Sequence, residues 1–468
     1  MSLMKRHWIS ALVALSLIST AAQIRTPPQV PTSASTGASA RPNVLIIVTD
    51  DQRDGLGVMP ATRRWLEQGG TKFANALVTT PLCCPSRASI FTGRYAHNHH
   101  VLSNDGEAGN LIQESTLQYY LHQAGYETAM YGKYLNLWDI SQPPPYFDQY
   151  AAITASTRYR NATWNVNGTV KTIPDYNTTY ISRKARKFLR RAGAKHPPWF
   201  LYLATAAPHP PFTPQPRYAD FPVSDWKGDP AVFEKDRSDK PSYVRKRHWG
   251  LAYGQKVRKE QFRTLKSVDH LVSAVFKTLT DLGEDKNTLV FFLSDNGVMW
   301  GEHGLKHKGF PYDQSIRVPF LVRWPGHVLA DATDDRIVAN IDIAPTVLEA
   351  TGVTPNPAYP IDGRSLLGAT SLRQRLLTEH FSPVNRTGGR WEDWASIRTN
   401  AYKYTEYYEP DRTTVKFREY YDLRSDPWEL RNLLGDSDPS NDPDVTALSQ
   451  QLAHDRACEG TEGSTACP

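Results

Sequence analysis

The chain is 468 residues long, 40% hydrophobic, 22% charged and 11% aromatic, a balance that supports a large buried core and excludes wholesale disorder. Fifty-four basic against 48 acidic side chains leave a formal net charge of +6, too thinly spread over this length to call for nucleic acid. The length allows two or three domains of roughly 150 residues, or one large domain with an appendage.

In chain order, Lys5 and Arg6 precede an uncharged apolar stretch from Ile9 to Ile18 and small residues at Ala21 and Ala22, the pattern of an export signal over residues 1–22. Residues 23–42 are rich in Pro, Ser, Thr and Ala and read as a flexible linker, so folding should begin at Asn43. Continuous apolar runs follow at Val44 to Val48, Thr128 to Tyr131, Phe200 to Leu203 and Leu289 to Leu293, which suit strands covered on both faces. Ser115 and Gln118 have the spacing of a capping box that opens a helix toward Gly125. Pro208 to Pro216 read as a surface loop. Phe262, Leu265, Val268, Val272, Val275, Leu279 and Leu282 share one face of a longer helix. Beyond about residue 370 the Tyr-rich segments AYKYTEYYEP and VKFREYYDL favour short antiparallel strands. The expected organisation is an α/β domain over 43–370 and a smaller subdomain over 371–468. Outside the first 22 residues nothing approaches the ~18 apolar residues of a membrane helix, and the expected location is extracytoplasmic.

Of four cysteines, Cys458 and Cys467 can close a tail loop in an oxidising compartment. Cys83 and Cys84 are adjacent, where a mutual bridge would be strained. Sequons begin at Asn161, Asn167, Asn177 and Asn385 and matter only in a eukaryotic secretory pathway.

In open α/β sheets ligands bind beyond the carboxyl ends of the strands. Those ends are polar here: Asp50 and Asp51 after the first run, Gly132 and Lys133 after the second, His209 after the third, Asp295 and Asn296 after the fourth. One such pair alone is an ordinary turn or cap, whereas two pairs supply the hard oxygen ligands of Ca²⁺, with the smaller, more hydrated Mg²⁺ second. The segment Cys83-Cys84-Pro85-Ser86-Arg87 fits a helix N-terminus, where free N–H groups favour an anion. Its bland alternative is a buried thiol pair.

C-x-P-S-R at Cys83 to Arg87, followed by Thr92-Gly93, resembles the signature of type I sulfatases. The similarity extends through NVLIIVTDDQ, SDNG at 294–297, GEHGLKHKGFPYDQSIRVPFLVRWPG at 301–326, DIAPTVLEATG, DGRSL and YDLRSDPWELRNL, and thus covers roughly residues 43–435. The resemblance implies an alkaline-phosphatase-like α/β sandwich, with a large, mostly parallel central sheet and a small C-terminal antiparallel sheet. It further implies that a formylglycine-generating enzyme oxidises Cys83 to formylglycine, whose hydrate uses one hydroxyl to attack sulfur and the other to release sulfate. Asp50, Asp51, Asp295 and Asn296, with the modified Cys83, would hold the cation; Arg87 would hold the hydrate and Lys133 the sulfate. Lys308, nine residues before Arg317, and His209 are the candidates for protonating the leaving oxygen.

One departure stands out. Many sulfatases carry G-K-W-H-L-G at the first active-site lysine, and this chain has Gly132-Lys133-Tyr134-Leu135-Asn136. Leu135 cannot take a proton, so His97, His99 and His100 become possible substitutes for the missing base. The combination CCPSR, TGRYAHNHHV and GKYLN most resembles N-acetylglucosamine-6-sulfatases, which implies a sulfated sugar or oligosaccharide as substrate. An arylsulfatase and a phosphonate or phosphate ester hydrolase are the alternative enzymes; a cradle with Cys83 left unoxidised would only bind anions. Residues 217–260, rich in charge and aromatics, are expected to shape the substrate side of the cleft.

Overall fold

The four apolar runs all become strands in a computed structural model that describes residues 41–153, 158–193, 197–368, 373–382 and 392–468. Most of the export segment and linker, and the sequon at Asn385, lie outside the described residues. The strands are β1 (Asn43–Thr49), β2 (Thr71–Leu77), β3 (Glu127–Lys133), β4 (Gln149–Ile153), β5 (Ala162–Val166), β6 (Thr169–Ile173), β7 (Trp199–Ala204), β8 (Thr288–Ser294), β9 (Met299–Trp300), β10 (Lys306–His307), β11 (Phe320–Arg323), β12 (Ala332–Ala339), β13 (Leu376–His380), β14 (Asp393–Arg398), β15 (Tyr402–Tyr408) and β16 (Val415–Asp422).

Ten of them form one sheet in the order β12-β2-β11-β8-β1-β7-β3-β4-β5-β6. Strands β8, β1, β7, β3 and β4 run parallel. Strand β11 is antiparallel to both β8 and β2, so β2 and its parallel neighbour β12 point the same way as β1. The carboxyl ends of all these parallel strands therefore lie on one edge. The fold is the expected mostly parallel sheet with a separate four-stranded antiparallel sheet, β13-β14-β15-β16.

Alternation within the central strands explains why their apolar runs are unbroken. Val44, Ile46 and Val48 of β1 join one core, with the helices Cys83–Thr92 and Ile343–Thr351. Leu45 and Ile47 join the other, under the helices Asn177–Gly193 and Leu251–Asp281. Each fully buried Val, Ile, Leu or Phe contributes about 1.5–3 kcal/mol, so neither face of these strands tolerates a polar side chain. In the small sheet, Tyr407 and Tyr421 bury their rings, and with Tyr312 they donate their hydroxyls to Glu419 at 2.6, 2.8 and 3.0 Å. The tail cysteines Cys458 and Cys467 are bonded.

Two expectations are corrected, and one sequon is placed. Ser115 caps no helix: its hydroxyl donates to Ile112 O at 2.7 Å within the preceding turn, and the helix Leu117–Gln123 starts after Thr116. The long helix starts eleven residues before Phe262, at Leu251, and Leu282 lies just past its end, 37% exposed, rather than on the buried face. The sequon Asn177 is buried and its amide donates to Arg158 O, which leaves no room for a glycan.

Candidate active site and metal centre

Register assembles the site. Thr49 of β1 pairs with Ser294 of β8, so Asp50-Asp51 and Asp295-Asn296 leave the sheet side by side although some 240 residues separate them. Val48 and Gly132 are both opposite Ala204 of β7, which brings Lys133 level with Thr49. Gly132 is obligatory: its φ is +123°, and a Cβ there would sit 1.8 Å from Ala204 O. Asp51 also has a positive φ of 66°. Its N–H donates to Asp295 Oδ1 at 3.1 Å and its carbonyl accepts from Gln261 Nε2 at 3.0 Å, contacts that hold an uncommon conformation in place.

Cys83 begins a buried ten-residue helix, Cys83–Thr92, and has Pro85 in its first turn. Its Sγ accepts from Lys308 Nζ at 2.7 Å and donates to Asp50 Oδ1 at 3.3 Å. Lys133 Nζ donates to Asp50 Oδ2 at 2.6 Å, and Lys308 also pairs with Asp51. Arg87, one turn along the helix, donates through Nε to Asp295 Oδ2 at 2.9 Å and through its guanidinium to Lys133 O at 3.1 Å. Asn296 Nδ2 donates to Asp51 Oδ1 at 2.7 Å. His209, on the loop after β7, is 21% exposed; its Nδ1 donates to Pro210 O at 2.7 Å and its Nε2 lies 3.9 Å from Asp51 Oδ2. All nine sequence candidates are thus brought together.

Charge balance follows from this packing. Burial would raise Asp50, but Lys133, His209, Arg87 and Lys308 outweigh it and hold the carboxyl well below its usual range. Burial and the neighbouring Asp50 raise Asp295. Burial, then Asp295 and Asp50, push the Cys83 thiol up, so the unmodified side chain is a poor thiolate. Ligand atoms of Asp50, Asp51, Cys83 and Asp295 lie within 4.8 Å of one another. Asn296 Oδ1, beside them, is buried without a hydrogen-bond partner. Converging hard oxygens and an orphaned amide oxygen fit a divalent cation such as Ca²⁺ or Mg²⁺.

The substitute histidines are elsewhere. His97 contacts Glu379 at 3.0 Å and Cys458 O at 3.0 Å; His99 contacts Ser89 Oγ at 3.0 Å and the Val101 N–H at 3.1 Å. His100 ends its helix in a left-handed turn. His99 ties the signature helix to the short helix that follows it, and His97 ties that short helix to Glu379 and the tail, while Leu135 is simply core. Sequence reasoning missed the residues that brace this helix. Asn104 Oδ1 accepts from the Cys84 N–H at 2.8 Å, and Asn340 bonds both Thr79 and Ser86. The DGRSL segment returns Asp362 and Gly363 N–H to Gly93 O. That segment was visible in the sequence, but only its place in the fold gives it this task.

The Sulfatase family model matches residues 42–353. The chain belongs to the sulfatase family. A second model, N-sulphoglucosamine sulphohydrolase, C-terminal, matches residues 301–457. The chain is 32% identical to human N-acetylglucosamine-6-sulfatase over 464 residues, covering 85% of this chain and 82% of that protein. It is 36% identical to the extracellular sulfatase SULF-1 homolog of Drosophila melanogaster over 73% of its own length, yet spans only 32% of that relative. It spans half of the corresponding nematode protein. A solved structure in complex with its substrate D-glucosamine-2-N,6-O-disulfate superposes with a TM-score of 0.77 at 23% identity, over 88% of this chain and 97% of that one; this likeness concerns the fold.

Proposed function

We propose that the chain is an exported hydrolase of sulfate monoesters on carbohydrate, with a 6-sulfated glucosamine as its substrate. The observation that carries this reading is Cys83 at a helix N-terminus, held between Lys308 and Asp50 within a ring of oxygen ligands and fixed cations. The substrate class is supported by two relatives, one named for N-acetylglucosamine 6-sulfate and one bound to a glucosamine 2-N,6-O-disulfate.

Cys83 is the residue that a formylglycine-generating enzyme would convert, and formylglycine hydrate supplies one hydroxyl for attack on sulfur and another to release sulfate. Asp50, Asp51, Asp295 and Asn296 would hold Ca²⁺, which lowers the charge on the sulfate oxygens. Arg87, locked by Asp295 and Lys133 O, keeps a fixed positive charge under the nucleophile. Lys133 and Lys308 present ammonium groups to the sulfate oxygens without reorganisation at the moment of reaction. His209 sits on the solvent side, where the sugar oxygen departs, and can deliver a proton to it from Nε2.

Sulfate release across sulfated monosaccharides, a nitrophenyl sulfate and a phosphate diester tests the reading. N-acetylglucosamine 6-sulfate should be cleaved with the highest kcat/KM among the sugars. Cys83→Ala should abolish turnover, while Cys84→Ala, whose Sγ only reaches Asn136 O at 3.9 Å, should retain most of it. Faster turnover of the phosphate diester would assign the site to phosphate ester hydrolysis instead.

A further inference from the structure

Two residues along the chain from Lys308 stands an exposed aromatic and cationic platform. Trp249 is 40% exposed, and its backbone N–H donates to Gly304 O at 3.1 Å. Lys306 Nζ lies 3.9 Å from the centroid of its ring, and Tyr253 packs against it at 4.8 Å. Lys306 is two residues from Lys308, so their Cα atoms are at most about 7 Å apart, and Lys308 touches Cys83.

The platform is continuous with a basic segment. From residue 245 to 259 the chain carries Arg245, Lys246, Arg247, Lys256, Arg258 and Lys259 and neither Asp nor Glu. Arg245, Lys246, Lys256 and Lys259 are exposed and form no ion pair among the described residues; Arg258 instead lies over Phe262 and feels Asp54. Exposed cations along this segment extend further than a single sulfated sugar seated at Cys83 would reach. An anionic chain leaving the site would reach them.

We propose that Trp249 and Lys306 form a second subsite, which stacks and neutralises the sugar adjoining the reacting one in a polyanionic sulfated glycan, and that Arg245 to Arg247 carry the chain onward. This rests on the sulfatase reading of the Cys83 site. A sugar face covers the indole, and the ammonium meets a sulfate or carboxylate of that neighbouring residue.

The test uses Cys83→Ala protein, which cannot consume ligand, and calorimetric titration with a size-defined series of sulfated glucosamine-containing oligosaccharides. Affinity should rise from mono- to tetrasaccharide and fall steeply with salt. Trp249→Ala and Lys306→Gln, both at exposed or half-exposed positions, should each weaken the tetrasaccharide about tenfold, well beyond any effect on the monosaccharide. Lys184→Ala/Lys187→Ala/Arg190→Ala, on the helix Asn177–Gly193, serves as a charge control and should weaken it less. Equal affinity for mono- and tetrasaccharide would overturn the proposal, as would equal weakening by the control or equally tight binding of duplex DNA. A preserved length dependence in Trp249-sensitive form supports the subsite even if Cys83-intact protein releases no sulfate, a result that would count against the reaction alone.

Discussion

His209→Ala isolates the fate of the leaving oxygen. Nδ1 is committed as a donor to Pro210 O at 2.7 Å, which leaves Nε2, 3.9 Å from Asp51 Oδ2, as the ring atom that faces the site. Lys308, by contrast, is buried between Asp51 and Cys83, contacts that outweigh burial and hold its proton well above the usual range. The partly exposed histidine is therefore the candidate to remove first. General acid catalysis is worth about 10²–10⁴ in rate, so a sugar alkoxide leaving without help should cost His209→Ala at least about 10², or roughly 2.7 kcal/mol of barrier. A nitrophenolate leaves readily and should lose less than about tenfold. The assay is kcat on N-acetylglucosamine 6-sulfate and on nitrophenyl sulfate, for wild type and variant, at matched metal content and formylglycine occupancy. Equal proportional losses would refute the acid role and leave Lys308 as the remaining candidate.

Chelation should abolish sulfate release and Ca²⁺ should restore it more fully than Mg²⁺, whereas Asn296→Ala, which removes the orphaned oxygen, should weaken Ca²⁺ at least about tenfold by titration. Arg373 is buried and bonds Asp342 through its two terminal guanidinium nitrogens at 2.7 and 2.8 Å; Arg373→Met should cost about 3–5 kcal/mol in denaturant unfolding, and a loss below about 1 would contradict the pairing. Two histidines set a stability optimum. Burial would lower His97, but Glu379 and Cys458 O outweigh it and push it up to about 9, so its stabilisation is complete below pH 6.5 and lost as pH rises through 9. Burial, then Arg94 and the neighbouring histidines, push His99 down to about 3, so its stabilisation is complete above pH 6.5 and lost as pH falls toward 3. Melting temperature should peak near pH 6.5, and His97→Phe should flatten the alkaline side.

Much of this was legible because chemistry and fold share a boundary. The apolar runs Val44 to Val48 and Leu289 to Leu293 are unbroken since each strand is buried on both faces, and a carboxylate pair directly after such a run can only lie at its end. What the runs do not contain is register. That Thr49 faces Ser294, and so brings Asp51 to Asn296, depends on pairing across some 240 residues. The same limit explains the histidines. AHNHHV is near the signature in sequence, but its helix turns His97 toward Glu379 and His99 toward Ser89, away from Cys83. Ser115 failed for a local reason, because a serine hydroxyl can satisfy the carbonyl behind it as readily as the amide ahead.

Whether Cys83 acts as formylglycine is read from the mass of the peptide containing it, taken from protein that is releasing sulfate. That peptide should show a loss of about 18 Da relative to the thiol, regained on hydration, at Cys83 and not at Cys84, in proportion to specific activity. Full sulfatase activity with an intact thiol at Cys83 would contradict it.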